Sequence, residues 1–483
     1  MIRMALGLSA CLFCGLLSGC ASVIGSYPEN TAPVKHAVAE KNYPQALKIL
    51  TQNQARQNQD LDGVERGRVE QLSGNFKASE MAYHQVIQDV QQQQLEAKIQ
   101  VHRVLETTGS LLGNDQMLPY RLKSYEIVFL YTYQALNYLG EGDLTDALVS
   151  IRQGQNEQSY IQQTHEAELL KAHQEAQKQG FDVNTEDHSQ YFQTTMAAAK
   201  GIKSSFENAF FYYFSALLFD MQGDYNNAFV SIQRALALSP DNPEIQKFLI
   251  QILQQRSGNL DQMQRYLEKF GSSQALVTPI PEHSDLVAVI VEQGWVQPLS
   301  SITVPILTFT HDASQGGTLN FNGVMFSIPI YAKSSVVPLI AEVKIDHQRT
   351  TLPVLMSVKP LAAKALTEDY PIIIVREVLR VIAKQVLAAQ VQRKGGLAGE
   401  VAVLVYNVVS SNADLRSWLT LPQDIQVWQD FLPLGPHRLS IEVNGVQESI
   451  PLDLQANTNV VIWAASVGPS LIVHRILVHQ SSQ

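Results

Sequence analysis

The spacing of apolar residues changes once along this 483-residue chain, between residues 271 and 281. Before this point apolar positions recur at helical spacing, in a text rich in Gln, Ala, Leu and Tyr. After it, short apolar runs rich in Val and Ile alternate with turn residues, and all four tryptophans occur there. Helical patterns followed by strand patterns predict two separately packed units, an all-α solenoid over 34–270 and an α+β domain rich in antiparallel strands over 281–483.

The carboxyl-terminal unit contains eight predicted strands and one long helical segment. The strands are predicted at 286–291, 302–309, 324–330, 336–345, 401–406, 437–443, 460–464 and 472–478. Residues 361–392 are apolar at helical spacing, which predicts one helix broken at Pro371 or two separate helices. Asn444-Gly445, between two strand-like runs, predicts a hairpin turn.

The helical unit repeats a pattern centred on a glycine turn. In its clearest copy, small Ala216 and Ala228 allow two antiparallel helices to approach closely, and Gly223 makes the turn between them. Pro240 cannot continue the second helix and helps to end it. This copy closely resembles the tetratricopeptide repeat, a helix pair that stacks into a solenoid.

A second copy of the same pattern surrounds Gly142, a weaker one surrounds Gly74, and residues 42–50 resemble the end of a degenerate copy. Gly74 and Gly142 are 68 residues apart, which is two periods of 34 and leaves room for one unrecognised repeat. The 81 residues from Gly142 to Gly223 fit no whole number of repeats. We therefore predict an insertion near 154–203.

The amino-terminal segment has the layout of a secretory signal. Arg3 precedes an apolar stretch over 4–17, which is shorter than the ~20 residues needed to span a bilayer. The stretch ends in Leu-Ser-Gly-Cys at 17–20, which resembles the bacterial lipobox, whose cysteine becomes the lipid-modified first residue of the mature protein. An ordinary signal peptide or a membrane anchor is the alternative interpretation.

The lipobox resemblance implies a signal peptide at 1–19, acyl chains on Cys20 and a lipidated tether over 20–33. Ala21 stands where an Asp commonly retains lipoproteins at the inner membrane, which favours a periplasm-facing anchor in the outer membrane.

The cysteine content and the net charge exclude several kinds of site and partner. Cys11 and Cys14 lie in the signal, so Cys20 is the only thiol of the mature chain, which excludes disulfides, Cys-based catalysis and Cys-ligated metals there. The net charge of −10 is well mixed and contains no Lys/Arg block, so no nucleic-acid partner is expected.

Two clusters are candidate contacts for a ligand or partner. Arg376, Arg380 and Lys384 fall at i, i+4 and i+8 and predict a basic stripe on an apolar helix. The stripe could face an anionic group of a glycan or lipid, but we favour stems that cover the core and heads that reach water.

In the second cluster, Asp414 and Arg416 share a side if the segment is extended, and could form a bidentate pair beside Trp418. We favour a structural corner over a binding site.

Catalytic motifs are not evident in the sequence. It contains no phosphate loop, dinucleotide glycine pattern, zinc-protease helix or serine-hydrolase motif, so no cofactor, metal or catalytic residue is predicted. A hydrolase with two widely separated carboxylates stays open as a third alternative, because glycosidase carboxylates have no fixed spacing.

Several pieces together resemble a group of proteobacterial tetratricopeptide lipoproteins. They are the lipobox, residues 135–139 with Gly142-Asp143, the basic stripe, and Asp-Leu-Arg-Ser-Trp-Leu-Thr-Leu-Pro at 414–422. The resemblance implies an envelope location near lipoproteins that activate penicillin-binding proteins, and it supplies no catalytic residue.

We therefore expect a non-enzymatic outer-membrane lipoprotein whose solenoid groove docks a protein partner in envelope or peptidoglycan assembly. The alternative is a peptidoglycan- or polysaccharide-binding module acting through the carboxyl-terminal domain. Residues 154–203 could themselves fill the groove, which would weaken the docking hypothesis.

Overall fold

The computed structural model describes residues 25–99, 115–178, 189–256, 260–271, 279–312, 318–334, 337–380 and 413–479. The helices of the amino-terminal half are α1 Tyr27–Ala39, α2 Tyr43–Gln52, α3 Gln59–Leu72, α4 Phe76–Ile99, α5 Ser124–Gly140, α6 Leu144–Lys178, α7 Ser189–Ala198, α8 Ala209–Met221, α9 Tyr225–Leu238, α10 Pro243–Gln255 and α11 Leu260–Lys269. Short 3-10 turns lie at Arg56–Asn58 and Asp115–Met117. These helices form the predicted solenoid of antiparallel pairs.

The predicted glycine turns join the helices of each pair. Gly142 and Gly223 have φ of +82° and +78°, a left-handed conformation that glycine adopts without steric cost. The main-chain N–H of the next residue, Asp143 or Asp224, donates to a carbonyl five residues earlier at 2.8 Å. The same aspartate side chain then accepts the N–H three residues further on and caps the following helix.

The two weaker copies have the same construction. Gly74 (φ +85°) precedes Asn75, which caps α4. Between α1 and α2, Lys41 takes the left-handed position with φ of 59°, and Asn42 caps α2. A lysine in the glycine position explains why the sequence shows this copy only faintly.

The spacing between Gly74 and Gly142 does not come from an unrecognised repeat, for which the sequence leaves room. Among the described residues α4 packs directly against α5, so no extra helix pair separates those two hairpins. The 68 residues between the glycines are mostly taken up by the 24-residue α4, by residues 100–123 and by the 17-residue α5. The predicted insertion consists of a 35-residue α6 and the short α7, and residues 179–188 lie outside the described part.

The predicted tether is too long. It was expected to reach residue 33, but α1 begins at Tyr27 and contains Pro33. Pro28 stands in the first turn, where a missing N–H costs nothing, and the Glu29 carboxylate accepts the N–H of Ser26 at 2.6 Å. The Gly, Ser, Pro and Asn residues of 21–33 thus predict a loop, although the chain begins a helix at Tyr27.

The carboxyl-terminal half contains three sheets. Its strands are β1 Ser284–Gln293, β2 Ser300–Asp312, β3 Thr318–Ile330, β4 Glu342–Ile345, β5 Gln348–Thr351, β6 Val354–Ser357, β7 Asp424–Pro433, β8 Gly435–Val443, β9 Val446–Leu454, β10 Thr458–Val467 and β11 Ser470–His479. The strand orders are β11-β10-β1-β7-β6, β5-β4-β8-β9 and the two-stranded β2-β3. All pairings are antiparallel except that of β1 with β10, which confirms the α+β prediction.

Several predicted elements differ from the observed ones. Of the described residues in the strand predicted at 336–345, only 342–345 pair. Strands β5, β6 and β7 were not predicted, and β9 was predicted only as the second arm of the hairpin. A helix, α12, spans 358–380 and continues through Pro371 without a break. The remainder of the helix predicted at 361–392 and the strand predicted at 401–406 lie outside the described residues. The Asn444-Gly445 hairpin is confirmed.

The five-stranded sheet is the middle layer between the helices and the four-stranded sheet. Alternate residues of β1 serve the two faces: Ala288 and Ile290 join the core shared with the helices, whereas Val289 and Val291 join the core between the sheets. Burial on both faces explains the uninterrupted apolar run that predicted this strand. None of the described helices is both long and apolar enough to cross a membrane.

Candidate functional site

The inner face of the solenoid, lined by the first helix of each hairpin, holds an extended piece of the same chain. We call residues 413–422 the resident segment. Glu126 of α5 accepts the main-chain N–H of Trp418 at 2.7 Å, and Glu65 of α3 accepts that of Leu419 at 2.7 Å. Glu65 also accepts the hydroxyl of Thr420. Two buried carboxylates thus bind the backbone of the segment, much as a groove binds a peptide.

The predicted bidentate pair forms within the resident segment. Arg416 donates through Nε and Nη2 to the two carboxylate oxygens of Asp414, at 2.9 and 2.7 Å. The same guanidinium also donates to Asn58 Oδ1 at 3.0 Å and to the carbonyls of Leu118 and Asp115 at 3.0 and 2.8 Å. The pair therefore fastens the segment to the solenoid, which agrees with the structural corner favoured from sequence.

Trp418 is the buried anchor of the resident segment. Its side chain is fully buried and packs edge-on against Tyr83 and Tyr133, with ring centroids 5.8 and 5.9 Å apart. The indole Nε1 donates to Thr420 Oγ1 at 3.1 Å, so the ring is buried without an orphaned donor.

Beside the resident segment, a buried ion pair joins the two halves of the chain. Arg68 of α3 pairs with Glu292 of β1, and both side chains are 1% exposed. Tyr133 donates its hydroxyl to Glu292 at 2.9 Å, and its ring lies 4.5 Å from the Arg68 guanidinium carbon. Arg68 also donates to the Thr420 carbonyl at 3.3 Å, which links the pair to the resident segment.

Burial sets the electrostatics of the carboxylates that hold the segment. Desolvation raises the pKa of Glu65 to about 7, although the hydrogen bonds from Thr420 and Leu419 oppose this shift. Desolvation also raises the pKa of Glu126 above its ordinary value, against the hydrogen bonds from the Lys123 and Trp418 N–H groups. Both carboxyls therefore bind a proton more tightly in the folded chain than in the unfolded one.

Stability is expected to rise as pH falls from 8 to 6. Burial raises the pKa of Asp220 to about 7 and that of Asp62 to about 6, alongside Glu65. The folded chain takes up protons that the unfolded chain does not, so each group adds up to about 1.4 kcal/mol per pH unit below its folded pKa. Glu65 and Asp220 therefore contribute mainly between pH 7 and 6, and Asp62 only near pH 6. Burial lowers the pKa of His474, which opposes the trend towards pH 6.

Urea unfolding of the full-length chain at pH 8, 7 and 6 would measure this dependence. The transition midpoint should move to higher urea as pH falls, and the Glu65→Gln variant should show a shallower slope. A midpoint that is constant or falls with acidification would contradict the assignment.

Two residues of the basic stripe predicted on α12 contact carboxylates of the same chain. Arg380 is buried and pairs with Asp115 and Glu377, so the expectation that its head reaches water is wrong. Arg376 is half-exposed and lies 3.5 Å from Asp115. Burial alone would raise the pKa of Asp115, but the two guanidiniums hold that pKa below its ordinary value. Lys384 lies outside the described residues.

Sequence reasoning missed the residues that receive the resident segment. Glu65 and Arg68 lie three residues apart on α3, and each is buried at 0–1% exposure. Glu292 follows six buried apolar residues of β1. A charge at the end of such a strand requires a partner, and that signal could have pointed to Glu292. Among the described residues no three His, Cys, Asp or Glu side chains are grouped so as to hold a metal ion.

The helix pairs, their turns and their caps define a tetratricopeptide-like solenoid joined to an α+β domain. No protein-family model and no curated protein matches the chain. Among solved structures, it is similar to the TPR2AB domain of yeast Sti1 in its pHSP90 complex, at 10% sequence identity and a TM-score of 0.19. That alignment covers 51% of this chain and 98% of the other.

Proposed function

We propose that this protein is a non-enzymatic lipoprotein of the bacterial outer membrane that docks a protein partner in the periplasm. The lipobox-like residues 17–20 support the anchor, and the tetratricopeptide-like fold supports protein–protein interaction. An envelope or peptidoglycan-assembly partner follows from the family resemblance alone.

The docking face differs from the one expected from sequence. The inner face is filled by the resident segment and the five-stranded sheet. Contacts run from α3, where Arg68 meets Glu292, to α10, where Gln251 donates to Asp430 at 2.9 Å. A partner therefore finds the outer face, formed by the second helix of each hairpin, more accessible.

One observation carries this assignment: exposed apolar side chains recur at the same repeat position on the outer face. Met81, Val149 and Val230 are 64%, 42% and 48% exposed. Each is the sixth residue after the capping residue of its helix, in α4, α6 and α9. Equivalent positions align along a solenoid, so these three side chains form a row, which we call the outer row. Scattered exposed apolar residues are ordinary, but an aligned row suits a binding surface.

The outer row is expected to crosslink one partner. A photoreactive amino acid placed singly at Met81, Val149 or Val230 in cells should give an adduct of one common mass. Replacing the other two row residues with Asp should abolish that adduct, while the same probe at exposed Gln348 or Gln447 serves as the control. Adducts that differ among the three positions, or that match those of the controls, would contradict docking on the outer row.

The alternative of a glycan-binding module has less support. Of its candidate contacts, Arg380, Arg416 and Trp418 are at most 5% exposed and are engaged within the chain. A sugar chain would have to displace these contacts before it could bind there.

A further inference from the structure

The chain between the proposed anchor and the first helix is very short. Five residue steps separate Cys20 from Gly25, and an extended chain spans at most about 3.6 Å per residue, or about 18 Å in all. A lipidated Cys20 therefore places Gly25 within about 18 Å of the membrane surface. The tether expected to reach residue 33 would have allowed more than twice that distance.

The residues next to Gly25 are fixed to the solenoid. Asn30 Nδ2 donates to the Gly25 carbonyl at 3.0 Å, and Tyr27 donates its hydroxyl to buried Glu65 at 3.4 Å. Val34 and Val38 of α1 are completely buried. The tether cannot lengthen unless α1 leaves the core, which would expose these apolar side chains to water.

The start of α1 meets the end of α2 and the turn that follows it. Asn53, which ends α2, donates to the Asn30 carbonyl at 3.3 Å, and Arg56–Asn58 comes directly afterwards. Lys48 and Arg56 are exposed here. We call residues 25–30 with 48–58 the anchored corner.

We propose that the anchored corner is a membrane-facing surface, held against the headgroups of the bilayer that carries the acyl chains. This inference rests on the proposed lipidation of Cys20. Exposed Lys48 and Arg56 suit a bilayer that contains anionic lipid. The later hairpins extend away along the solenoid, since packed helices lie 8–10 Å apart, and the outer row begins one hairpin from the membrane.

Fluorescence energy transfer from a dye on the protein to an acceptor on lipid would test whether the anchored corner faces the membrane. Single cysteines replace exposed Gln54, in the anchored corner, or exposed Gln222, in the turn between α8 and α9. Cys11 and Cys14 leave with the signal and the Cys20 sulfur carries the lipid, so the new thiol alone takes the dye. The lipidated protein is reconstituted in phosphatidylethanolamine–phosphatidylglycerol vesicles with a lipid-borne acceptor.

Transfer from position 54 should exceed transfer from position 222 by roughly twofold or more, because two hairpins, α3–α4 and α5–α6, and the single helix α7 lie between them at helix-packing distances. A 30-residue Gly/Ser insertion after Ser22 should remove most of this difference, because such a linker reaches about 30 Å on average. Equal transfer from both positions in the membrane-bound protein would overturn the membrane-facing corner.

The Cys20→Ser variant separates this inference from the function on which it rests. Loss of vesicle and membrane association in that variant supports the anchor. Association that persists would refute lipid anchoring itself, whatever the orientation measured for the parent protein.

Discussion

Replacing Arg68 with alanine is expected to lower the free energy of unfolding by about 3–5 kcal/mol, because Glu292 is then left as an unpaired buried charge. Both side chains are almost completely buried, and Tyr133 would be the only remaining hydrogen-bond donor in the described site for Glu292. Urea unfolding followed by tryptophan fluorescence would measure the loss, since Trp463 lies 5.2 Å from the Arg68 guanidinium carbon.

A double substitution provides the control. Arg68→Met combined with Glu292→Leu removes both charges together, and it should recover most of the lost stability because no buried charge stays unpaired. If Arg68→Ala alone cost less than about 1 kcal/mol, the value of an exposed ion pair, the pair would not join the halves as described.

Replacing Trp418 with alanine is expected to cost about 3–5 kcal/mol and to release the resident segment. The indole is fully buried between Tyr83 and Tyr133, so its removal leaves a cavity in the inner face of the solenoid. Unfolding measurements would give the energetic loss. Amide hydrogen exchange at residues 418 and 419 would report release, because those N–H groups donate to Glu126 and Glu65.

Trp418→Phe is the matched control, since it keeps an aromatic ring and loses only the indole donor and some volume. It should cost less than the alanine variant and leave exchange at residues 418 and 419 slow. Fast exchange at these amides in the parent chain would show instead that the segment leaves the inner face readily.

The solenoid could be predicted from sequence because its turns are local. Gly142 and Gly223 each sit within five residues of the carbonyl that their turn uses, so spacing alone reveals the hairpin. The resident segment could not be predicted in this way. Glu65 and Leu419 are 354 residues apart in sequence, and no periodicity reports a contact over that distance.

Strand β7 shows a different limit. It lies inside the five-stranded sheet, between β1 and β6, yet its sequence, Asp-Ile-Gln-Val-Trp-Gln-Asp-Phe-Leu-Pro, mixes apolar residues with polar ones in a way typical of an exposed strand or a loop. Gln426 and Gln429 are completely buried. Gln426 accepts the Ala341 N–H at 2.9 Å, and Gln429 donates to Gln251 of α10 at 2.6 Å. These hydrogen-bond partners lie far away in the sequence, so the local sequence around β7 gives no sign of them.

The parallel pairing of β1 with β10 imposes an order on assembly. Val287 of β1 pairs with Val460, 173 residues later, so the central strand of the five-stranded sheet lacks one neighbour until residue 460 has been synthesised. Pairing over such a separation is slow, and an unpaired strand edge is prone to aggregation meanwhile. The inner face of the solenoid also stays incomplete until then, because Glu65, Arg68 and Glu126 bind residues that come later in the chain. We therefore expect the newly synthesised chain to depend on chaperones until β10 and β11 have been made.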